Sequence, residues 1–173
     1  MTPTLAELVK HYDRPGPRYT AYPMPPAWPE DFPESELKEA LGRADEAGGP
    51  LSIYAHLPFC LRRCAYCACS AVASPTYKPA ADFLDALEAE VDLWARELPR
   101  RREVLLLHWG GGTPTYFEAA DLRRIFKAIT DRFPLREAAE VSVEVDPASL
   151  APDRLPVLRE LGFNRVSFGV QDL

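Results

Sequence analysis

The sequence predicts an α/β fold in which parallel strand–helix repeats follow an irregular amino-terminal arm. Three observations carry this reading. Strand-like and helix-like segments alternate strictly from Leu51 onward, and such alternation produces a parallel sheet with right-handed crossovers. VLLLHW, residues 104–109, is one continuous apolar run, the pattern of a parallel strand covered on both faces. Each strand also ends in a cluster that packing alone does not require: residues 56–60, 110–113, 146–147 and 169–172.

The elements follow in order. Residues 1–33 begin with a short helical start and continue as GPRYTAYPMPPAWP, too rich in proline for regular structure. Residues 35–47 read as a helix with Leu37 and Leu41 on one side, ending at Gly48-Gly49. Residues 51–56 form the first strand, and a long loop with all four cysteines follows it. Residues 79–98 read as a helix with Pro79 in its first turn. Its Phe83, Leu87, Val91, Trp94 and Leu98 recur at helical spacing. Strand 104–109 is closed by three glycines. Helix 118–132 places Leu122, Ile125, Phe126 and Ile129 on one stripe. Strand 141–145, a short helix over 152–161 with Pro156 in its first turn or at a kink, and strand 165–170 complete the pattern. The expected organisation is an arm with a short helix over 1–48 and a core domain over 49–173.

Composition bounds the function. The chain has 173 residues, 47% hydrophobic, with 20 basic against 26 acidic side chains and net charge −6. That length suffices for one ordinary soluble domain or part of one. The acidic balance argues against a nucleic-acid surface driven by phosphate contacts. No apolar stretch is long enough to cross a bilayer, and MTPTLAELVKHYDRPG lacks the pattern of a signal peptide. The expectation is a cytoplasmic protein with neither nucleic acid nor membrane as partner.

Cys60, Cys64, Cys67 and Cys69 are the only cysteines, spaced C-x3-C-x2-C-x-C inside HLPFCLRRCAYCACS. Two disulfides would need an oxidising compartment. Structural zinc usually takes two ligand arms well apart in sequence, whereas here one arm is present. A ferredoxin-type carrier would use all four cysteines, typically in a C-x2-C-x2-C run with a distant last ligand. Three thiolates at the observed spacing can instead hold three irons of a [4Fe-4S] cube and leave the fourth open to a small molecule.

The strand ends point to the same place. In parallel α/β folds the ligand site lies at the carboxyl ends of the strands. Alternation in VSVEVDP sets Ser142, Glu144 and Asp146 on one face, with Val141, Val143 and Val145 on the other. In a sheet covered on both faces Glu144 must line a cavity or find buried donors. GGGTPT lacks both the lysine of a P-loop and the spacing of a dinucleotide fingerprint. Its glycines are expected to bring the backbone close to a ligand through main-chain donors and acceptors.

Together these residues resemble the radical S-adenosylmethionine superfamily, whose barrel opens with a C-x3-C-x2-C loop after its first strand. GPRYTAYP, YAHLPFC, the CxC ending at Cys69, HWGGGTPTY, VEVDP and GFNRVSFGVQD are further similar to successive motifs of the oxygen-independent coproporphyrinogen III oxidases. The resemblance implies the first part of a partial TIM-like barrel. It implies Cys60, Cys64 and Cys67 as ligands of a [4Fe-4S] cluster. Tyr54, Tyr66, Gly111, Gly112, Thr113, Glu144 and Gln171 would contact S-adenosylmethionine. Cys69 and His56 stand as candidate catalytic groups. For Cys69 a small buried residue is the equal alternative. Arg18, Tyr19 and Tyr22 of the arm are candidates for binding the tetrapyrrole, an arginine suiting a propionate carboxylate; a packed arm with Arg18 exposed is the other reading.

The implied reaction is removal of hydrogen from propionate side chains of coproporphyrinogen III by a 5′-deoxyadenosyl radical. Loss of carbon dioxide then leaves the vinyl groups of protoporphyrinogen IX. The implied partners are that substrate and a low-potential electron donor such as flavodoxin or ferredoxin, with the full-length protein a monomer. Two other classes stay open: a haem-chaperone-like relative, and an iron–sulfur module without radical chemistry. Since the barrel of this superfamily needs about six strand–helix units, the chain is expected to be an amino-terminal fragment, inactive or unstable alone. Its fourth strand is then expected to be an apolar open edge.

Overall fold

The computed structural model of the chain describes residues 3–13, 27–29, 31–77 and 79–170. The chain forms two compact units, 1–36 and 37–173. This division falls inside a helix.

In the first unit, α1 (Leu5–Tyr12) is started by a capping box. The Thr4 hydroxyl accepts from the Glu7 N–H at 3.4 Å, and the Glu7 carboxylate accepts from the Thr4 N–H at 2.8 Å. Arg18, Tyr19 and Tyr22 lie outside the described residues.

The chain continues through α2 (Glu34–Ala47), β1 (Leu51–Leu57), β2 (Phe59–Cys60), β3 (Val72–Ala73), α3 (Pro79–Glu97) and β4 (Val104–Gly111). A 3₁₀ turn (Pro114–Tyr116), α4 (Ala119–Thr130), β5 (Leu135–Val145), α5 (Arg154–Glu160) and β6 (Arg165–Phe168) follow. Gly48 and Gly49, at φ 67° and 86°, end α2 in a conformation that favours glycine. Buried Asp45 in α2 accepts backbone N–H groups of Arg100 and Arg101 at 2.9 and 2.8 Å. It thereby fastens α2 to the turn before β4. Pro156 sits in the first turn of α5, where its missing N–H leaves no helical bond unmade.

The main sheet is parallel with order β1-β4-β5-β6. One face forms the core. Leu57, Leu107, Trp109, Val141, Val143 and Val145 pack there with Leu84 and Val91 of α3, Leu122, Ile125 and Ile129 of α4, and Val157 and Leu158 of α5. Of the predicted helix stripes, Val91, Leu98, Leu122, Ile125 and Ile129 are buried and Leu41, Phe83, Leu87 and Phe126 partly so, whereas Leu37 and Trp94 each keep 39% of their surface exposed.

The expectation of a sheet covered on both faces is corrected. Among the described residues the helices α3, α4 and α5 share one core with one sheet face, and the opposite face is polar and open. Tyr54 there is 56% exposed, and the Glu144 side chain 47%. A single helix layer on one sheet face is the arrangement of barrel strands, whose helices form an outer ring. Glu144 is therefore a cavity-lining carboxylate and not a deeply buried one.

Two further differences matter for the site. β5 begins at Leu135 rather than Val141, because the polar LREAAE segment pairs with the start of β4 through a register shift. The loop with the cysteines is closed at its base by the two-residue parallel ladder β2–β3, pairing Phe59 with Val72 and Cys60 with Ala73.

Candidate active site

Parallel register assembles the polar face in rows. Tyr54 lies beside His108 and His108 beside Ser142 in one row; His56 lies beside Gly110 and Glu144 beside Ser167 in the next. The Tyr54 hydroxyl donates to Nδ1 of His56 at 3.0 Å, and His56 Nε2–H donates to the Ser70 carbonyl at 2.8 Å. Since a carbonyl only accepts, this carbonyl fixes the proton of His56 on Nε2. His56 consequently ties β1 to the far end of the cysteine loop.

The three glycines answer crowding from the protein itself. A β-carbon at Gly110 would lie 2.9 Å from the Glu144 carboxylate and 3.0 Å from the Tyr54 ring. At Gly112 it would lie 2.5 Å from the Pro58 carbonyl and 2.7 Å from that of Phe59. The main-chain donors are also engaged. Gly111 N–H donates to Glu144 at 3.3 Å, Gly112 N–H to Leu57 at 2.9 Å, and Thr113 N–H to Phe59 at 2.9 Å. The expectation that these N–H groups face a ligand is therefore corrected; the glycines lock the turn against β1 and β2.

All four cysteines are free thiols. They line one cavity of about 440 Å³ with Tyr66, Gly111, Gly112, Thr113, Glu144 and Gly169. Clusters at the ends of β1, β4, β5 and β6 thus converge as their positions imply. Cys60 Sγ lies 3.4 Å from the Thr113 hydroxyl, joining the loop to the glycine turn. Cys69 is exposed, which removes the reading of a small buried residue. Loss of some hydration inside the loop first, and the neighbouring Cys67 sulfur next, push its thiol above the ordinary range. Partial burial and the Glu144 carboxylate similarly push the Tyr54 hydroxyl up, so it remains a proton donor. Asp146 also lines the cavity, but its carboxylate is engaged by the Ala148 N–H at 3.0 Å and the Ser149 hydroxyl at 2.8 Å.

The structure brings together Cys60, Cys64, Cys67, Cys69, Tyr66, Gly111, Gly112, Thr113 and Glu144 around the cavity, with Tyr54 and His56 on the adjoining sheet face. Gln171 lies outside the described residues. One residue was missed by sequence reasoning, His108, whose Nδ1 lies 2.7 Å from the hydroxyl of Ser142. The parity that assigns Glu144 to the inner face assigns Ser142 to it too, and counting back by two from Gly110 reaches His108.

A loop of thiols above the carboxyl ends of parallel strands, beside an open polar sheet face, defines an α/β barrel-type protein that holds a thiolate-ligated cofactor. Comparison with known proteins gives the class its name. The profile of the radical SAM superfamily matches residues 54–173. An oxygen-independent coproporphyrinogen III oxidase from Synechocystis is 41% identical over 168 residues, 96% of this chain and 36% of that protein. The protein of the same name from Escherichia coli is 43% identical, over 95% of this chain and 35% of its own length. A solved structure of coproporphyrinogen III oxidase from Escherichia coli, described as a radical SAM enzyme, superposes with a TM-score of 0.84. It is 42% identical over 90% of this chain and 35% of its own. The chain belongs to the radical SAM superfamily, and it spans 35–36% of the length of these curated relatives.

Members of this superfamily use a [4Fe-4S] cluster and S-adenosylmethionine. The residues present fit that pair. The donors are free, soft thiols, the type such clusters take. Among the described residues, no three His, Cys, Asp or Glu side chains are grouped as a single ion would need them. The thiols instead surround a cavity, which suits a cluster of several irons better than one ion.

Proposed function

We propose that this chain is the cluster-bearing part of an oxygen-independent coproporphyrinogen III oxidase, acting in porphyrin and haem biosynthesis. One observation carries the choice of substrate. The similarity to enzymes of that name takes in 96% of the chain, so it includes most of the segment before residue 54. The superfamily profile does not reach that segment.

In this reading Cys60, Cys64 and Cys67 would hold the cluster and leave one iron open to S-adenosylmethionine. When bound, the cluster supplies the electron that cleaves S-adenosylmethionine reductively, so that a propionate hydrogen can be abstracted. The chain's own residues prepare that site. The β2–β3 ladder and the His56–Ser70 bond hold the cysteine loop in place. Glu144 offers a carboxylate to the cofactor's ammonium or hydroxyl groups, with Tyr54, Tyr66, Gly111, Gly112 and Thr113 as further contacts. Gln171, Arg18, Tyr19 and Tyr22 keep their assigned roles toward cofactor and tetrapyrrole. Cys69, which lines the cavity, and His56, on the adjoining sheet face, are assigned as auxiliary groups.

The remaining proposals are a low-potential one-electron donor such as flavodoxin or ferredoxin, a monomeric full-length protein and a cytoplasmic location. Among the described residues no helix is long and apolar enough to cross a membrane.

The test is anaerobic reconstitution with iron and sulfide beside a full-length relative, followed by reduction with S-adenosylmethionine and coproporphyrinogen III. Iron and sulfide bound in equal amounts, with a spectral response to S-adenosylmethionine, are expected. Stoichiometric zinc without sulfide would refute the cofactor reading. A full-length form that binds the cofactor but leaves coproporphyrinogen III intact would refute the substrate.

A further inference from the structure

We propose that His108, held by Ser142, is the positioning residue that aims the Glu144 carboxylate into the cofactor cavity; this rests on the cofactor role of Glu144 above. Glu144 projects from β5 with its side chain 47% exposed, so packing alone does not fix its rotamer. Two donors approach it. Gly111 N–H lies 3.3 Å from Oε2, and His108 Nε2 lies 3.5 Å from Oε1. The first belongs to the locked glycine turn. The second depends on which nitrogen of His108 carries the proton.

The acceptor-only carboxylate decides that question, and Ser142 accommodates the answer. The serine side chain is buried, 3% exposed, and its hydroxyl is 2.7 Å from His108 Nδ1. If the hydroxyl donates to Nδ1, the proton of the neutral ring sits on Nε2 and faces the carboxylate. The opposite tautomer would turn a bare Nε2 lone pair toward a negative oxygen. The carboxylate therefore selects the Nε2–H tautomer, and the serine hydroxyl supports it by donating to Nδ1. The Tyr54 ring stacks on His108 with centroids 5.8 Å apart and planes 20° apart, which holds the imidazole plane across the sheet. Tyr54 is itself anchored through its hydroxyl to His56. The chain of support runs from the buried serine to the imidazole and then to the carboxylate.

At 3.3 and 3.5 Å both contacts are longer than an ordinary N–H···O bond, so the two donors flank the carboxylate without saturating it. Its remaining lone pairs stay available to an ammonium or hydroxyl of the ligand. Gly110 completes the arrangement, since a β-carbon there would lie 2.9 Å from Oε2 and displace the carboxylate from this orientation.

The experiment compares reconstituted wild type with His108→Phe, His108→Gln and Ser142→Ala. It reads iron and sulfide content, and the dissociation constant for S-adenosylmethionine by equilibrium dialysis. Phenylalanine keeps the ring stack and removes both nitrogens, so affinity is expected to fall about tenfold with cluster content unchanged. Glutamine can return an N–H near the position of Nε2 and is expected to stay within about threefold of wild type. Ser142→Ala, which removes the partner of Nδ1 and loosens the ring, should fall between them. Equal affinity of His108→Phe and wild type overturns the proposal alone. Loss of iron in step with affinity in all three variants also overturns it, since the role is then structural. Wild-type protein that holds a cluster but does not bind S-adenosylmethionine overturns the cofactor reading, and this proposal with it.

Discussion

The ring of His56 occupies the space that a side chain at Gly111 would need. A β-carbon there would lie 2.8 Å from His56 Cε1 and 2.9 Å from Nδ1, on a backbone already at φ 114°. The glycine turn and the histidine are thus one device, and through Ser70 that device reaches the cysteine loop.

Replacing Gly111 or Gly112 by alanine is expected to lower stability by about 1–3 kcal/mol, the typical cost of overpacking. Gly112→Ala should be the worse, because its neighbours are the fixed Pro58 and Phe59 carbonyls rather than a side chain. Gly42→Ala is the control: it has nothing within 4 Å and lies within α2, so a gain of about 0.5–1 kcal/mol is expected. Thermal unfolding of the three variants checks the order.

His56→Leu removes the donor to Ser70 and the acceptor for Tyr54. Amide exchange of residues 61–71 should accelerate, while that of β4 and β5 stays at the wild-type rate. Uniform acceleration across the sheet would mean that the histidine supports the whole fold and not the loop.

Asp45 accepts two backbone N–H groups while only 6% exposed. Asp45→Ala leaves both without a partner, at an expected loss of about 1–3 kcal/mol. Asp45→Asn, which keeps one acceptor oxygen, should lose less. Chemical denaturation measures both.

Arg124, bound to Glu88 at 2.7 Å, holds the Glu88 carboxyl below the ordinary glutamate range. A lowered folded-state value contributes stability that is present above the unfolded glutamate pKa of about 4.3 and is lost as pH falls through the folded value. Arg124→Ala should therefore weaken the fall in stability below about pH 4.3. The change is expected to be small, since both side chains are more than a third exposed to solvent. Melting temperatures from pH 3 to pH 7 test the sign.

The parts legible in the sequence were those governed by periodicity. The apolar stripe of α4, the placement of Pro156 in α5 and the inward parity of Glu144 follow from spacing alone. Relations across the chain were less accessible. Nothing local in LREAAE announces a strand; Leu135 joins β5 because Val104 lies opposite it. The β2–β3 ladder is two residues long and has no periodicity to detect. The glycines are recognisable as a backbone in close approach, but only the fold reveals that the approaching groups are His56, Glu144, Tyr54 and the Pro58–Phe59 backbone. His108 was hidden inside an apolar run, where its parity mattered more than its neighbours.

The central claim is that Cys60, Cys64 and Cys67 hold a cluster with one iron open to S-adenosylmethionine. The most direct test is the electron paramagnetic resonance spectrum of the reduced, reconstituted chain with and without S-adenosylmethionine, measured beside single serine variants of all four cysteines. The account predicts a [4Fe-4S]⁺ signal that S-adenosylmethionine shifts, lost in the variants at 60, 64 and 67 and retained in Cys69→Ser. A signal that ignores S-adenosylmethionine, or that disappears equally when Cys69 is replaced, would contradict it.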